Sequence, residues 1–125
     1  IEIVKVLGAP TKAQVLAMNP QYRNFTYPNV PARGWGTVLR KSVGPDITLL
    51  LAAFLEYDPD ARIRPLEACA HRAFDELREE QARCPDGQPL PKDLFNFTPR
   101  EQRTCKDGLL ERLPPGWHTP RDPRR

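Results

Sequence analysis

Apolar residues fall into short runs at helical spacing, and proline-rich segments separate these runs. The first run, at 1–7, ends at Gly8, a residue suited to a helix C-cap. Thr11 is a good N-cap for a second run at 12–18, which must end before Pro20. The pattern therefore predicts two short helices joined by a tight turn.

Two central apolar runs predict further helices, and each follows a proline suited to the first helical turn. Pro45 begins the helix predicted over 46–57, which is apolar on nearly every side and is therefore expected to be buried. Pro65 begins the next helix, whose apolar positions form one continuous stripe. The stripe consists of Leu66, Cys69, Ala70, Ala73, Phe74 and Leu77.

The chain from residue 84 onward is predicted to be mostly loop. A Pro-Asp-Gly turn at 85–87 precedes an apolar anchor at 94–97, and one marginal helix is predicted over 99–110. Pro-Pro-Gly at 114–116 ends regular structure again. The predicted fold class is thus mainly α with long loops.

The loop at 20–36 differs from a solvated linker because it is rich in aromatic side chains. We expect it either to pack onto another part of the molecule or to bind a partner. Its aromatic residues are Tyr22, Phe25, Tyr27 and Trp35.

Composition narrows the class of protein. The chain has 15 prolines among 125 residues, which excludes a fold made mostly of long helices. A hydrophobic fraction of 39% with 28% charged residues is typical of a globular chain. The net charge of +3 is too small to predict nucleic-acid binding, and the basic end at 121–125 is expected to be a solvated tail.

The sequence also bears on compartment and metal binding. No apolar run reaches the roughly 18 residues of a membrane span, and the start lacks the basic and long apolar regions of a signal peptide. Cys69, Cys84 and Cys105 lack CxxC spacing, which favours reduced thiols in the cytoplasm, with the nucleus as an alternative location. Cys69 and His71 lie two positions apart on a predicted helix, so they would point to different faces and would not chelate one metal ion.

The stretch DPDARIRPLEACAHRAFDELR at 58–78 resembles the last block of the eukaryotic protein kinase catalytic domain. That block has Asp-Pro, then an arginine, then a helix that ends in His-x-x-Phe. The matching positions are Asp58, Pro59, Arg62, His71 and Phe74.

Four stretches in order make the chain similar to the glycogen synthase kinase-3 (shaggy-like) family of Ser/Thr protein kinases. They are IEIVKVLGAPTKAQVLAMNPQY, FLEYDPDAR, PLEACAHRAFDELR and CPDGQPLPKDLFNFT, within residues 1–100. Arg64 departs from the family, which usually has a Thr or Ser N-cap there, and this should weaken the helix start by about 1 kcal/mol. Asn24 and Thr26 also flank Phe25 where the family usually has Glu and Lys.

The resemblance implies the lower C-lobe segment of a protein-kinase-like fold, within a parent of α+β class. Residues 1–98 would be the C-lobe segment, and 99–125 a Pro- and Arg-rich extension that is partly disordered. The parent would use ATP and Mg to phosphorylate Ser or Thr of protein substrates. The alternative is a catalytically inactive kinase fragment, or a pseudokinase remnant, that acts only as a binding module.

The chain lacks the motifs that phosphoryl transfer requires. It has no Gly-rich phosphate loop and no DFG or APE triplet. His71-Arg72-Ala73 begins like a catalytic loop, but alanine stands where the base is required. We therefore expect no catalytic, cofactor-binding or metal-binding residue in this chain.

Arg62 lies between two apolar runs, where an unpaired charge would be costly. In kinases the arginine at this position pairs with the glutamate of the APE motif, which would lie upstream of residue 1. A bidentate carboxylate suits a guanidinium placed among apolar helices. The alternative is that Arg62 reaches water or pairs with Asp58 or Glu67.

A docking groove is the remaining surface that the resemblance implies. In the family, the helix matching 1–7 and the loop matching 20–28 hold an amphipathic helix of a scaffold protein. The alternative is that the aromatic side chains pack the loop onto its own lobe. The matching positions are Ile1, Tyr22, Phe25 and Tyr27.

Overall fold

The computed structural model describes residues 2–39, 43–79, 81–91, 93–105 and 108–113, and these are mainly helical with long loops. Within those ranges the only β pairing is one isolated antiparallel bridge between Arg83 and Pro89. The α-helices are α1 Glu2–Leu7, α2 Lys12–Met18, α3 Trp35–Val38, α4 Pro45–Phe54, α5 Pro65–Cys69 and α6 Pro99–Gln102. Short 3₁₀ helices cover Pro20–Tyr22, Arg72–Arg78 and Leu110–Arg112.

The chain divides into two compact units, Ile1–Ile63 and Arg64–Arg125. Along the sequence, the boundary falls between Ile63 and Arg64, directly before α5 begins. The domain boundary expected after residue 98, and the disorder expected in the extension, stay predictions; residues 114–125 lie outside the described ranges.

Gly8 joins α1 to α2 and confirms the predicted C-cap. Its φ of 82° lies in the left-handed region, and its N–H donates to the carbonyl oxygen of Val4 at 2.9 Å. A Cβ at this position would lie 3.0 Å from the backbone nitrogen of Ala32, so the loop also needs a glycine for close approach. The Tyr57 hydroxyl donates to the Gly8 carbonyl oxygen at 2.8 Å, which ties this turn to the end of the first unit.

The predicted start of α2 is also confirmed. The Thr11 hydroxyl accepts from the Gln14 N–H at 3.2 Å, and the Gln14 side chain accepts from the Thr11 N–H at 2.9 Å. This reciprocal capping box satisfies two of the donors that a helix start leaves unpaired. Local chemistry alone therefore sets this helix boundary.

The prediction that α4 is buried on nearly every side is wrong. Leu50 is buried, but Leu49 is 54% exposed and Phe54 is 42% exposed. The helix also ends at Phe54, earlier than the predicted end at residue 57. Hydrophobicity predicts which side chains gain from burial. The described residues cover only one face of α4.

The single stripe predicted from Leu66 to Leu77 is broken in the structure. The helix α5 ends at Cys69, and a 3₁₀ helix begins at Arg72 with a kink at Phe74. His71 has an extended backbone, and its Nδ1 accepts from the Ala73 N–H at 3.2 Å, so it caps a new helix and does not continue the old one.

The core of the second unit forms around α5. Leu66, Ala70 and Leu113 are buried together. The helix predicted over 99–110 is shorter than expected: α6 has four residues and ends at Gln102. Its boundary follows from Thr98, whose hydroxyl accepts from the Glu101 N–H at 3.3 Å. Half-buried side chains that pack against this core are Cys69, Phe95, Phe97, Cys105, Leu109 and Leu110.

Candidate functional site

Arg62 lies in the turn at the end of the first unit and is exposed there. Its Nε–H donates to the carbonyl oxygen of Glu56 at 2.9 Å. Its backbone N–H donates to the carbonyl oxygen of Asp58 at 3.0 Å, which closes the turn. In this chain the Arg62 side chain is therefore exposed to solvent. No carboxylate of the first unit's described residues forms an ion pair with it.

Asp58 shapes the same turn through its side chain. Its Oδ1 accepts from the Asp60 N–H at 2.9 Å, an arrangement typical of an aspartate before proline. The structure therefore joins Asp58 and Arg62 by one backbone hydrogen bond and not by an ion pair.

His71 and Phe74 mark the break after α5 in the second unit. Arg78, which the sequence pattern did not single out, stabilises the backbone at this break. Its guanidinium donates to the carbonyl oxygens of Cys69 at 2.7 Å and of His71 at 3.2 Å, and it pairs with Asp75. The signal available in the sequence was the three-residue spacing of Asp75 and Arg78 on a helical segment.

Three aromatic rings of the first loop form a row, which we call the aromatic row: Tyr22, Phe25 and Tyr27. The centroids of Tyr22 and Phe25 are 5.9 Å apart, and those of Phe25 and Tyr27 are 4.9 Å apart. Interplanar angles of 83° and 76° make both pairs edge-to-face, the favoured aromatic geometry. Phe25 is still 50% exposed, so the rings pack on each other and leave an open apolar edge.

The aromatic row borders a hollow of about 350 Å³. Phe25 and Tyr27 line it from the loop, and Val15 lines it from α2. Lys12 and Arg23 add positive charge at its edge. Tyr22, Phe25 and Tyr27 are thus brought together at one surface, whereas Ile1, the fourth position of the predicted groove, lies outside the described residues.

Cys69, Cys84 and Cys105 form no disulfide in the described part of the chain. Burial raises the pKa of the Cys69 thiol, which favours the protonated and poorly nucleophilic form. Among the residues that the structure describes, no group of three or more His, Cys, Asp or Glu side chains is placed to hold a metal ion. The described helices include none that is long and apolar enough to cross a membrane.

A scan of the sequence against protein-family models finds no match.

Proposed function

We propose that this chain is the lower C-lobe segment of a Ser/Thr protein kinase of the glycogen synthase kinase-3 (shaggy-like) family. The observation that carries the proposal is the ordered run of four family-like stretches, with Asp58, Arg62, His71 and Phe74 at the matching positions. The longer parent protein transfers the γ-phosphoryl group of ATP to Ser or Thr of protein substrates in the cytoplasm or the nucleus.

Two exposed features of the first unit are consistent with a missing neighbour. The helix α4 leaves Leu49 and Phe54 uncovered, and Arg62 extends a guanidinium that no described carboxylate of its unit pairs with. In the proposed parent, the rest of the kinase domain covers these apolar side chains. An upstream glutamate pairs with Arg62 through two parallel hydrogen bonds.

ATP and Mg do not fit the residues of this chain. The sequence contains no Gly-rich phosphate loop and no DFG triplet, and His71-Arg72-Ala73 lacks the base of a catalytic loop. The upstream part of the parent holds both. This chain contributes the helical platform below the substrate cleft.

An activity assay on a longer protein tests the proposal. The reading frame that contains this chain is extended upstream, and the product is incubated with γ-labelled ATP, Mg and a Ser/Thr peptide. We expect label transfer by the longer protein and none by the chain of 125 residues. A longer protein without the catalytic-loop aspartate is the control and should be inactive.

The upstream coding sequence decides the matter independently of folding. The expected result is an in-frame extension that contains HRD, DFG and APE triplets. A start codon directly before Ile1, or an extension without these triplets, contradicts the proposal.

A binding-only role is the second candidate, and the aromatic row favours it. Half of the Phe25 side chain is exposed beside a hollow with positive edge residues, Lys12 and Arg23. An amphipathic helix of a scaffold protein would place its apolar face on this row. This function needs no catalytic group, so it is open to the chain alone.

Titration of the chain with a fluorescent amphipathic helical peptide measures this binding. We expect Phe25→Ala to weaken it about tenfold, because an aromatic anchor at the centre of a small interface carries much of the affinity. Phe54→Ala is the matched control, since it removes an exposed ring from α4 of the same unit. Equal effects of the two variants would show that the peptide does not use the aromatic row.

A further inference from the structure

A cleft of about 510 Å³ opens at the start of α5, and we call it the α5 cleft. Its apolar lining includes Leu66, which is buried, and Cys69 and Phe97, which are half-buried. Arg64 and Arg100 also line the cleft, and both are exposed. All of these residues belong to the second unit, so the cleft shares no residue with the aromatic row.

Arg64 is an unfavourable residue for its position in the helix. It occupies the N-cap of α5 with an extended backbone, where Ser, Thr, Asp or Asn would accept from a free N–H. Arginine has no acceptor. Only half of a capping box is made: the Glu67 carboxylate accepts from the Arg64 N–H at 3.1 Å. A residue that breaks a local rule without a structural gain is a candidate for function.

The two guanidiniums form no ion pair with a carboxylate of the described part of the second unit. Glu101 also lines the cleft, but its Oε2 accepts from the Thr98 N–H at 2.6 Å and from the Thr98 hydroxyl at 2.7 Å. These bonds lower the pKa of Glu101 and hold its charge at the start of α6. The cleft lining therefore combines an apolar surface with two guanidinium groups that have no carboxylate partner in the described part of the second unit.

We propose that the α5 cleft binds an acidic, apolar peptide segment of a partner protein. An apolar side chain of the peptide lies on Leu66, Cys69 and Phe97, and its carboxylates pair with Arg64 and Arg100. Guanidinium groups bind carboxylates through two parallel N–H···O bonds. Binding also removes the surface of the peptide's apolar side chain from water, which is favourable. The cavity volume lies within the range of about 300–1,000 Å³ that ligand pockets span.

Charge complementarity selects this occupant over other classes. Two guanidiniums on one cleft are far fewer than the basic stripe that a nucleic acid requires, and the whole chain carries only +3. The proposal does not depend on the kinase parent or on the aromatic row. Either of those can fail while the α5 cleft binds its peptide.

Fluorescence anisotropy on the full chain tests the proposal. The probe is a short labelled peptide in which Leu and Phe are flanked by Asp and Glu. We expect Arg64→Thr to weaken binding about fivefold to tenfold, since it removes a charge-assisted hydrogen bond. The same variant should raise the thermal midpoint by about 4 °C, because threonine restores the N-cap. If Arg64 had only a structural role, Arg64→Thr would raise the thermal midpoint without weakening peptide binding.

Arg100→Gln should weaken peptide binding by a similar factor without raising the midpoint. Arg103→Gln is the matched control: it removes the same charge from an exposed residue next to α6 that does not line the cleft. It should leave affinity unchanged, and a probe with Asn and Gln in place of Asp and Glu should bind weakly to every variant.

Three results would overturn the proposal. The first is equal weakening by Arg103→Gln, which would indicate general charge attraction. The second is unchanged affinity in Arg64→Thr. The third is binding of a simple fatty acid such as octanoate where the peptide does not bind, which would assign the cleft to a small amphipathic acid.

Discussion

Replacement of Leu66 by alanine is expected to lower the free energy of unfolding by about 2–5 kcal/mol. Leu66 is 3% exposed and lies at the centre of the second unit's core, against Ala70 and Leu113. The substitution removes buried apolar contacts and leaves a cavity that short helices and loops refill only in part. Since domains are stable by only about 5–15 kcal/mol, this loss is large enough to unfold the unit.

Urea denaturation followed by circular dichroism measures this effect, and Leu94→Ala is its control. Leu94 is 44% exposed, so the same change of side chain should cost less than about 1 kcal/mol. Equal losses in the two variants would contradict the assignment of the core to α5. Hydrogen exchange at the backbone amides of Ala68 and Ala70, which donate to Arg64 and Leu66 carbonyls, locates the loss within the helix.

Arg62→Ala is expected to have opposite consequences in the chain alone and in the proposed parent. In the chain the side chain is exposed and makes one hydrogen bond to Glu56, so the change should alter stability by less than about 0.5 kcal/mol. In the parent, the same change leaves a buried glutamate without its partner and should cost about 3–5 kcal/mol. The prediction rests on the kinase proposal.

Denaturation midpoints are measured for four proteins. These are the chain alone and the longer parent, each with and without Arg62→Ala. Arg23→Ala is the control, because Arg23 is also exposed in the first unit and should have a small effect in both forms. If the longer protein loses no more than the chain does, Arg62 has no buried partner there. That outcome removes the physical support that Arg62 lends to the proposal.

Arg62 shows what an apolar sequence pattern can and cannot predict about burial. Two flanking apolar runs predicted that its charge would be buried, but the Asp58-Pro59 turn places it at the surface. The apolar pattern of α4 also predicted burial incorrectly, because Leu49 and Phe54 are apolar but exposed to solvent. Apolar patterning records which residues gain from burial, and burial also requires a second surface.

The aromatic row shows an intermediate case. The sequence predicted that Tyr22, Phe25 and Tyr27 would pack onto something or bind something, and the structure brings the three rings into edge-to-face contact. Their order along the loop did not predict that geometry. The Asn19 side chain accepts from the Gln21 N–H at 2.9 Å and caps the short helix Pro20–Tyr22, which carries the first ring.

Helix boundaries that depend on neighbouring residues alone were predicted correctly. Thr11 begins α2 and Gly8 ends α1, because an N-cap needs a side-chain acceptor and a left-handed C-cap needs a residue without Cβ. Both requirements involve residues within three or four positions of each other, so the local sequence is enough to predict these helix ends. The Pro-Asp-Gly turn at 85–87 follows the same logic: the Gly87 N–H donates to the Cys84 carbonyl oxygen at 2.8 Å.

Features that join distant residues emerged only from the folded chain. The break after α5 needs Arg78 to reach back to the carbonyl oxygens of Cys69 and His71, and the core needs Leu113 to return to Leu66. The α5 cleft has both Arg64 and Arg100 in its lining although many residues separate them along the chain. Burial, convergence of charge and cavity shape are properties of surfaces that meet in space, and local propensity does not encode which surfaces will meet.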